Sequence, residues 1–351
     1  MIRLPDEAND SAQPRSIQQP HAAAAVDVNN CDREPIHIPG SIQPHGILFA
    51  LVEPELTIVQ VSDNTERWLG QPPEDFLNQP LTCLLSDQEI HAVRHCLEGD
   101  FDYVNPLVVN VNTAGGIMHT HAIVHRTHNQ IVILEIEFDR DVNNIDEINY
   151  FDFYRQVKAP ISGLQNAADF DTLCTKLVTS VRHITGFDRV MIYRFDPSGA
   201  GEVIAEACAA QLEPYVGLRY PASDIPQPAR HLYTLNQIRS IPDATYQPVA
   251  LLPPLDPTTQ TPLDLSLSVL RSVSPMHTEY LQNMGVSASM SVSLVRDGKL
   301  WGLIACHHYE PKLIPYFLQT VCEFIGQVAA FELTAKADLQ DRDYQIQIER
   351  H

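Results

Sequence analysis

Apolar and polar residues alternate in short runs over the first third of the chain, which predicts a small sheet with few helices. The runs 47–54 and 56–64 flank a Pro-Glu turn and predict a β-hairpin. A second hairpin is predicted over 104–113 and 117–126, followed by a strand over 130–138. Between the hairpins, Ser86 or Asp87 begins a short helix. These elements predict a small α+β domain.

A charged, Asn-rich segment at 139–149 separates this region from a longer one. Helical spacing of apolar residues follows and stops at Gly186, a residue that commonly ends helices. Strands are predicted at 189–196 and 202–209, and a hairpin is predicted around Asp297-Gly298. The proline-rich segment 244–265 is too apolar for a solvated loop, so we expect it to pack on another surface. Helical spacing resumes at Tyr316 and runs toward the end without a stop signal, as expected inside a longer protein or for a frayed terminal helix.

The predicted hairpin around Asp297-Gly298 carries a row of hydroxyl groups, because Ser289, Ser291 and Ser293 alternate with apolar residues. With a regular two-residue turn, Ser289 would pair with Cys306 and His307 would point to the opposite face. Ser289, Ser291 and His307 share a face only if the hairpin contains a three-residue loop or a bulge. We predict that irregularity.

Composition narrows the class of protein. The chain has 351 residues, enough for two domains, and a net charge of −21, which disfavours binding to nucleic acid or to anionic membranes. We expect no membrane span, since no run approaches 18 apolar residues. The first residues lack the features of a signal peptide, and the seven cysteines include no CxxC pair. A cytoplasmic protein without disulfides or a metal site is expected.

The second domain concentrates side chains that suit a large, flat, apolar ligand bearing carboxylates. Arginine offers a bidentate fork for a carboxylate, and aromatic side chains form apolar walls. The candidates are Arg239, Arg271, Ser289, Ser291, His307, Tyr193, Tyr215, Tyr220, Tyr233 and Tyr280. On spacing alone, an ordinary reading remains open, in which the serines face water and the tyrosines line a core.

Other clusters give weaker signals. The four histidines between positions 119 and 128 lack a cysteine or carboxylate at ligand spacing, so no metal site is expected. Cys306 and His307 are adjacent on a predicted strand and point in opposite directions, so they cannot act on one substrate. The chain has no Gly-rich phosphate loop. An enzyme is therefore disfavoured.

Five long segments resemble the phytochromes, and within them the bacteriophytochromes that bind biliverdin. They are CDREPIHIPGSIQPHG (31–46), RVMIYRFD (189–196), YPASDIPQPARHLY (220–233), LRSVSPMHTEYLQNMG (270–285) and LWGLIACHH (300–308). The resemblance implies a PAS domain over 31–142 and a GAF domain over 146–335, after an N-terminal arm at 1–30. It also implies a figure-of-eight knot, with Ile42 passing through residues near 244–254. Residues 336–351 would begin a helix toward a PHY domain.

The resemblance also implies how the pigment is attached. Related proteins that hold other bilins use a cysteine just before the histidine of an S-P-x-H stretch, and Met276 occupies that position here. Bacteriophytochromes instead use a cysteine in the N-terminal arm, which corresponds to Cys31. The expected cofactor is therefore biliverdin IXα, joined to Cys31 by a thioether.

The remaining pocket roles are also implied by the resemblance. The main-chain carbonyl of Asp224 would face the pyrrole N–H groups, joined by His277 through a water. Arg239 and Arg271 would hold the B-ring propionate, and Ser289 and Ser291 the C-ring propionate. The D-ring carbonyl would bond to His307, and Tyr193, Tyr220 and Tyr280 would surround that ring, with Met191 or Met284 packing beside them. Further pocket residues are expected to be Tyr215, Ile225, Pro226, Tyr233 and Ser274.

The implied function is red and far-red light sensing by Z-to-E isomerisation of the bilin, in a fragment that is not itself an enzyme. The family's PHY domain and its output module, often a histidine kinase, are not in this chain, so a red-absorbing resting state is expected. A homodimer through the GAF and C-terminal helices is also expected. The alternatives are a PAS–GAF sensor of haem or a cyclic nucleotide, an enzyme, and a dimerisation module whose pocket is filled by side chains.

Overall fold

The computed structural model describes residues 34–98, 105–113, 115–138 and 150–349, with side chains described over 153–337 in the last range. The predicted arm at 1–30, Cys31 and the predicted domain boundary at 139–149 lie outside these ranges. Within them, the chain forms two antiparallel sheets of seven and six strands, each flanked by helices. Two α+β domains are therefore present, as the sequence predicts.

The first sheet is built from the predicted hairpins. Its order is β1-β11-β3-β2-β6-β5-β4, and all its pairings are antiparallel. Ser86 caps helix α2 through a capping box with Glu89, which confirms the predicted helix start. The elements are β1 (Ser41–Ile42), β2 (Gly46–Val52), β3 (Thr57–Ser62), α1 (Thr65–Leu69), α2 (Asp87–Leu97), β4 (Asn105–Thr113), β5 (Gly116–Arg126) and β6 (Val132–Glu137).

The second domain contains the remaining elements. Helix α4 ends at Gly186 in the left-handed conformation, as predicted. The elements are α3 (Tyr150–Gln165), α4 (Phe170–Thr185), β7 (Arg189–Phe195), β8 (Gly201–Cys208), β9 (Arg219–Tyr220), α5 (Gln227–Leu235), β10 (Ile238–Ile241), β11 (Val249–Leu252), α6 (Pro275–Asn283), β12 (Ala288–Arg296), β13 (Lys299–His308) and α7 (Tyr316–Glu349). Its sheet has the order β10-β12-β13-β7-β8-β9.

Strand β11 belongs to the second domain in sequence but joins the first domain's sheet between β1 and β3. The proline-rich segment that carries it packs on that sheet, as expected for its apolar composition. Leu251, Leu263 and Leu265 are buried there against the β2, β5 and β6 residues Leu48, Ala50, Ile123 and Ile133. One face of the first sheet is thus closed by a segment of the second domain.

The N-terminal part of the first domain, residues 41–43, runs between β11 and residues 270–272 of the second domain. On one side, β1 pairs with β11, with Ile42 opposite Val249. On the other side, Gln43 N donates to Leu270 O at 2.7 Å, and Ser272 N donates to Ser41 O at 3.1 Å. These contacts lie where the knot is expected, while the threading itself stays a prediction.

The hairpin of β12 and β13 contains the predicted irregularity. Its turn has two residues, since Arg296 pairs with Lys299, but the register shifts by one residue between Leu294 and Val295. The bulge makes Ser289 pair with His307 instead of with Cys306. Ser289, Ser291 and His307 therefore share one face.

The opposite face of this sheet packs against α3, α4 and α7. Its core contains Val190, Ile192, Met290, Val292, Ile304 and Cys306 from the strands, with Leu173, Leu177, Val181, Val321, Ile325 and Leu333 from the helices. Helix α7 does not bury every apolar residue of its periodic pattern: Phe324 and Phe331 are 40% and 67% exposed. No helix in the described part of the chain is long and apolar enough to cross a membrane.

Candidate functional site

The second sheet presents three lateral rows of side chains on the face that points away from α3, α4 and α7. Strand pairing defines them, because directly opposite residues point the same way. The rows are Ile241, Ser289, His307 and Arg189; then Arg239, Ser291, Ala305 and Met191; then Ser293, Leu303, Tyr193 and Val203. Serine, histidine and arginine thus line one end of this face, and apolar residues line the other.

The apolar end is enlarged by aromatic residues from the segment after β8 and from α5. Tyr193, Met191, Val203 and Leu303 are buried together, and Tyr215, Tyr220, Ile225 and Tyr233 pack against them. The rings of Tyr193 and Tyr220 are 6.0 Å apart and tilted by 46°. These are the aromatic side chains that the sequence selected as ligand walls, apart from Tyr280.

Asp224, Ile225 and Pro226 form the turn that leads into α5, at the border of the aromatic cluster. Arg230 holds this turn: its guanidinium donates to Ile225 O at 2.6 Å and to Ala222 O at 2.9 Å. Tyr280 lies across the turn on α6, with its hydroxyl 3.5 Å from Asp224 Oδ2. Burial raises the pKa of Asp224, and the bond from Tyr280 lowers it.

The two arginines are buried at the polar end of the site. Arg239 Nη1 donates to Ser268 O at 3.2 Å and to Val269 O at 3.3 Å. Arg271 Nη1 donates to Ile36 O at 2.6 Å, while Arg271 Nε has no partner within the described residues. Burial and the charge of Arg239 both lower the pKa of Arg271. Two like charges close together out of water favour an anionic ligand at this end.

His277 of α6 lies within electrostatic range of His307 of β13. Burial lowers the pKa of His307 to about 4, and the charges of Arg189 and His277 add to that effect. Burial and Arg239 lower the pKa of His277 to about 4 as well. Both imidazoles are therefore neutral at neutral pH. The Nδ1 atom of His307 is buried without a hydrogen-bond partner among the described residues.

Ser274 and Met284 bracket α6 and have surroundings of their own. Ser274 Oγ donates to Glu34 Oε2 at 2.6 Å, which brings the chain that follows Cys31 to the site. Met284 packs with Ile241, Leu281 and Val286, in a cluster separate from the one that contains Tyr193. Ser274 thus lies three residues after Arg271 and, like it, contacts the segment that follows Cys31.

Three further residues shape the site and are not among those predicted from the sequence. Arg230 supports the turn at Asp224, as described above. Gly201 leaves the space that the Tyr193 ring occupies, since a Cβ there would collide with the ring. Arg189 forms a fully buried ion pair with Glu206, and its guanidinium lies 3.6 Å from the centre of the Tyr215 ring. Alternation of apolar residues along a strand would have marked Arg189 and Glu206 only as polar positions.

The donor set fits a flat, conjugated ligand with carboxylate groups. Buried guanidiniums and free serine hydroxyls can bond carboxylates, a neutral imidazole with an unpartnered nitrogen can bond a carbonyl, and the aromatic end can enclose an apolar ring. The Cys306 side chain lies on the helix side of the sheet, so the site contains no Cys–His pair.

Comparisons with known proteins agree with this architecture. A family model described as PAS fold matches residues 31–139, and one described as GAF domain matches residues 169–332. The chain is 50% identical to cyanobacterial phytochrome B of Nostoc sp. over 325 residues, which cover 92% of this chain and 43% of the relative. It is 41% identical to a bacteriophytochrome of Pseudomonas aeruginosa, covering 87% of this chain and 40% of that protein. The chain therefore spans less than half the length of these curated relatives.

A solved structure, the chromophore-binding domain of a Stigmatella aurantiaca bacteriophytochrome, superposes with a TM-score of 0.81 at 46% identity. The match covers 88% of this chain and all of that one. Fold and matches together define a PAS–GAF protein. The chain belongs to the phytochrome family of photoreceptors, as a module like the chromophore-binding domains of bacteriophytochromes.

Proposed function

We propose that this module binds biliverdin IXα through a thioether to Cys31 and senses red and far-red light. When bound, the bilin supplies the light absorption and the Z-to-E isomerisation of the double bond between its C and D rings. The observation that carries the proposal is the face described above, where guanidiniums, hydroxyls and an unpartnered imidazole adjoin an aromatic cluster. The chain's own residues supply binding, orientation and a polar response to rotation of the D ring.

The polar end of the face would orient the bilin. Arg239 and Arg271 hold the B-ring propionate, and Ser289 and Ser291 hold the C-ring propionate. Each charge-assisted bond contributes about 1.5–3 kcal/mol, so the arginines outweigh the wall contacts in fixing orientation. Ser274, three residues after Arg271, would line the same polar end of the site.

The aromatic end would receive the D ring. Tyr193, Tyr220 and Tyr280 surround it, backed by Tyr215, Tyr233 and Met191, while Met284 lines the α6 side. His307 is neutral and offers one N–H, which suits the D-ring carbonyl. A change of partner at His307, Tyr280 and Asp224 would pass the light signal to the protein.

The centre of the bilin would lie between the Asp224 turn and α6. The Asp224 carbonyl accepts from the pyrrole N–H groups, with Ile225 and Pro226 packing beside them. His277 reaches the same groups through a water. This arrangement favours a protonated bilin, because a carbonyl oxygen and a neutral imidazole both accept hydrogen bonds.

Cys31 is the proposed attachment residue because the chain just after it reaches the site. Glu34 accepts from Ser274, and Ile36 O accepts from Arg271. Three residues of extended chain span about 10 Å, so the Cys31 thiol can reach a ligand there. Met276 occupies the alternative position and cannot form a thioether.

The attachment is tested by adding biliverdin, denaturing the protein and recording zinc-enhanced pigment fluorescence on the protein band. The wild type and Cys83→Ser should be labelled; Cys83 is an exposed cysteine and serves as the matched control. Cys31→Ser should lose the band. Persistent labelling of Cys31→Ser would contradict the attachment, and a colourless wild type would contradict biliverdin binding itself.

A homodimer through α3 and α7 is part of the proposal. Three large aromatic residues stand exposed on these helices: Tyr154 at 45%, Phe324 at 40% and Phe331 at 67%. A second copy of the chain could cover them, since large apolar side chains are enriched at such interfaces. Phe331→Glu should therefore lower the sedimentation mass toward that of a monomer, while Val216→Glu, at another exposed apolar residue, should not. A mass unchanged by Phe331→Glu would contradict this interface.

The full-length protein would add a PHY domain and an output module, with the PAS domain over 31–142 and the GAF domain over 146–335. Residues 336–351 would begin the connecting helix. Without the PHY domain, the red-absorbing form should be the resting state, and the far-red form should accumulate poorly.

A further inference from the structure

Glu135 is a fully buried carboxyl group in the middle of β6, on the face of the first sheet that the proline-rich insertion covers. Its neighbours across the sheet are Leu48 and Ile123, both buried and apolar. A carboxyl group at such a position costs several kcal/mol unless it has strong partners. Its partners are therefore informative.

Both carboxyl oxygens of Glu135 accept main-chain bonds from the second domain. Oε1 accepts from Leu270 N at 2.8 Å, and Oε2 accepts from Val269 N at 3.1 Å. Burial raises the pKa of Glu135 to about 8, and the Glu137 charge adds to the rise, while these two N–H donors and the Arg239 charge oppose it. The carboxyl group thus lies within electrostatic range of Arg239.

The residues that Glu135 holds belong to the segment 268–271, which contains Arg271 and accepts hydrogen bonds from Arg239 on β10. The carbonyls of Ser268 and Val269 accept from Arg239, and Arg271 directly follows Leu270. Glu135 binds the N–H groups of this segment, and Arg239 binds its carbonyls. The segment is fixed from the first domain on one side and from the GAF sheet on the other.

We propose that Glu135 is a positioning residue for the ligand carboxylate site: it holds segment 268–271 so that Arg239 and Arg271 point at the ligand carboxylate. A residue of the PAS domain thereby sets the affinity of a GAF site. The inference rests on the proposed function for the identity of the ligand, but the contact itself joins two parts of this chain. Glu135 acts on the ligand only through the two arginines, so its effect on affinity depends on the negative charge of the ligand.

Glu135→Gln is the sharpest change, because glutamine keeps the shape but replaces one acceptor oxygen with an N–H₂ group facing a main-chain N–H. Glu137→Gln is the matched control: Glu137 lies two residues along the same strand, faces the same side and contacts His45 at 3.8 Å. Glu135→Leu removes both acceptors and extends the series.

Two measurements distinguish a residue that positions the arginines from one that only stabilises the fold. First, amide hydrogen exchange is recorded on the protein without pigment. The amides of Val269 and Leu270 should exchange about ten-fold faster in Glu135→Gln, faster still in Glu135→Leu, and at the wild-type rate in Glu137→Gln. Second, dissociation constants are measured in a Cys31→Ser background, where binding is reversible, for biliverdin and for its dimethyl ester.

Glu135→Gln should weaken binding of biliverdin by roughly ten-fold, because the loosened segment no longer holds the two arginines in place, and weaken the ester, which lacks the propionate charges, by less than about two-fold. Equal weakening for both ligands would show a merely structural role and overturn the proposal, as would unchanged exchange at Val269 and Leu270. If no variant and no wild type binds either ligand, the proposed function fails. The exchange rates then decide the Glu135 proposal by themselves.

Discussion

The two sheets have the same construction and use their second faces in opposite ways. Each buries one face against its own helices. The other face of the first sheet is closed by the insertion, which packs leucines and isoleucines against it. The corresponding face of the second sheet carries the buried polar side chains of Ser289, Ser291, Arg239 and His307.

The first sheet thus uses its second face for packing, whereas the second sheet offers the face on which we propose that the ligand binds. Apolar residues on a covered face stabilise the fold by roughly 1.5–3 kcal/mol each. A buried polar atom without a partner costs about 1–3 kcal/mol, and such atoms occur on both faces: His307 Nδ1 on the second sheet, and both ring nitrogens of His125 on the covered face of the first. Proteins place polar residues at buried positions mainly at functional sites. In the second sheet, such positions lie along one face only.

The largest effect is expected on the covered face. Leu48 is fully buried between the first sheet and the insertion, so Leu48→Ala should lower the free energy of unfolding by about 2–5 kcal/mol, through lost burial and a cavity. On the ligand face, Ser291→Ala should change it by less than about 0.5 kcal/mol in protein without pigment. Denaturant titration of both variants measures the contrast.

Val108→Ala removes methyl groups at a half-exposed position on the edge strand β4 and serves as the control. It should change the free energy of unfolding only slightly. If Leu48→Ala costs no more than Ser291→Ala, the insertion does not close the first sheet in the way described. A large loss in Ser291→Ala would show that the polar face supports the fold instead of a ligand.

Local sequence signals predicted much of this fold. The hairpins follow from alternation, the start of α2 from Ser86, and the end of α4 from Gly186. The bulge in the β12–β13 hairpin followed from requiring Ser289 and His307 to share a face. Each of these signals depends on residues close in sequence or on a strict two-residue period. Such signals can be read from a short stretch of the chain.

Long-range features could not be read in the same way. Strand β11 has four residues in a proline-rich stretch, and its partner Ser62 is far away in sequence. Helix α3 contains Pro160, a residue that argues against a helix interior. Alternation alone assigns Glu135 to a water-facing side, because nothing local shows that the insertion covers that side. The exposure of Phe331 is equally invisible, since periodicity cannot tell which apolar residues lack a partner.

The candidate site divides along the same line. Spacing grouped the serines with His307, and the structure places them in adjacent rows. The arginines were selected for their chemistry and the turn at Asp224 through the family resemblance, because these residues lie on separate elements that only the fold brings together. Their supports, Arg230 and Glu135, act through the main chain of distant segments, so they carry no local motif.

A smaller effect is expected when the pH is lowered. The loss of folding stability in acid tests both faces together. His125 lies buried on the covered face and His307 on the ligand face, and burial lowers the pKa of each to about 4. An unfolded histidine titrates near 6.5, so the unfolded chain binds more protons between about pH 6.5 and 4. Stability is complete above pH 6.5 and falls as the pH drops through this window, by at most about 3 kcal/mol per histidine.

His125→Gln and His307→Gln should each make the pH dependence of unfolding less steep, by up to about 1.4 kcal/mol per pH unit. Thermal or denaturant unfolding at several pH values between 4 and 7 measures the slopes. Biliverdin should alter the contribution of His307, which we place against the D ring, and leave that of His125 unchanged. If the pigment changes both contributions equally, or neither, His307 is not a ligand contact. The two faces would then differ in polarity without differing in role.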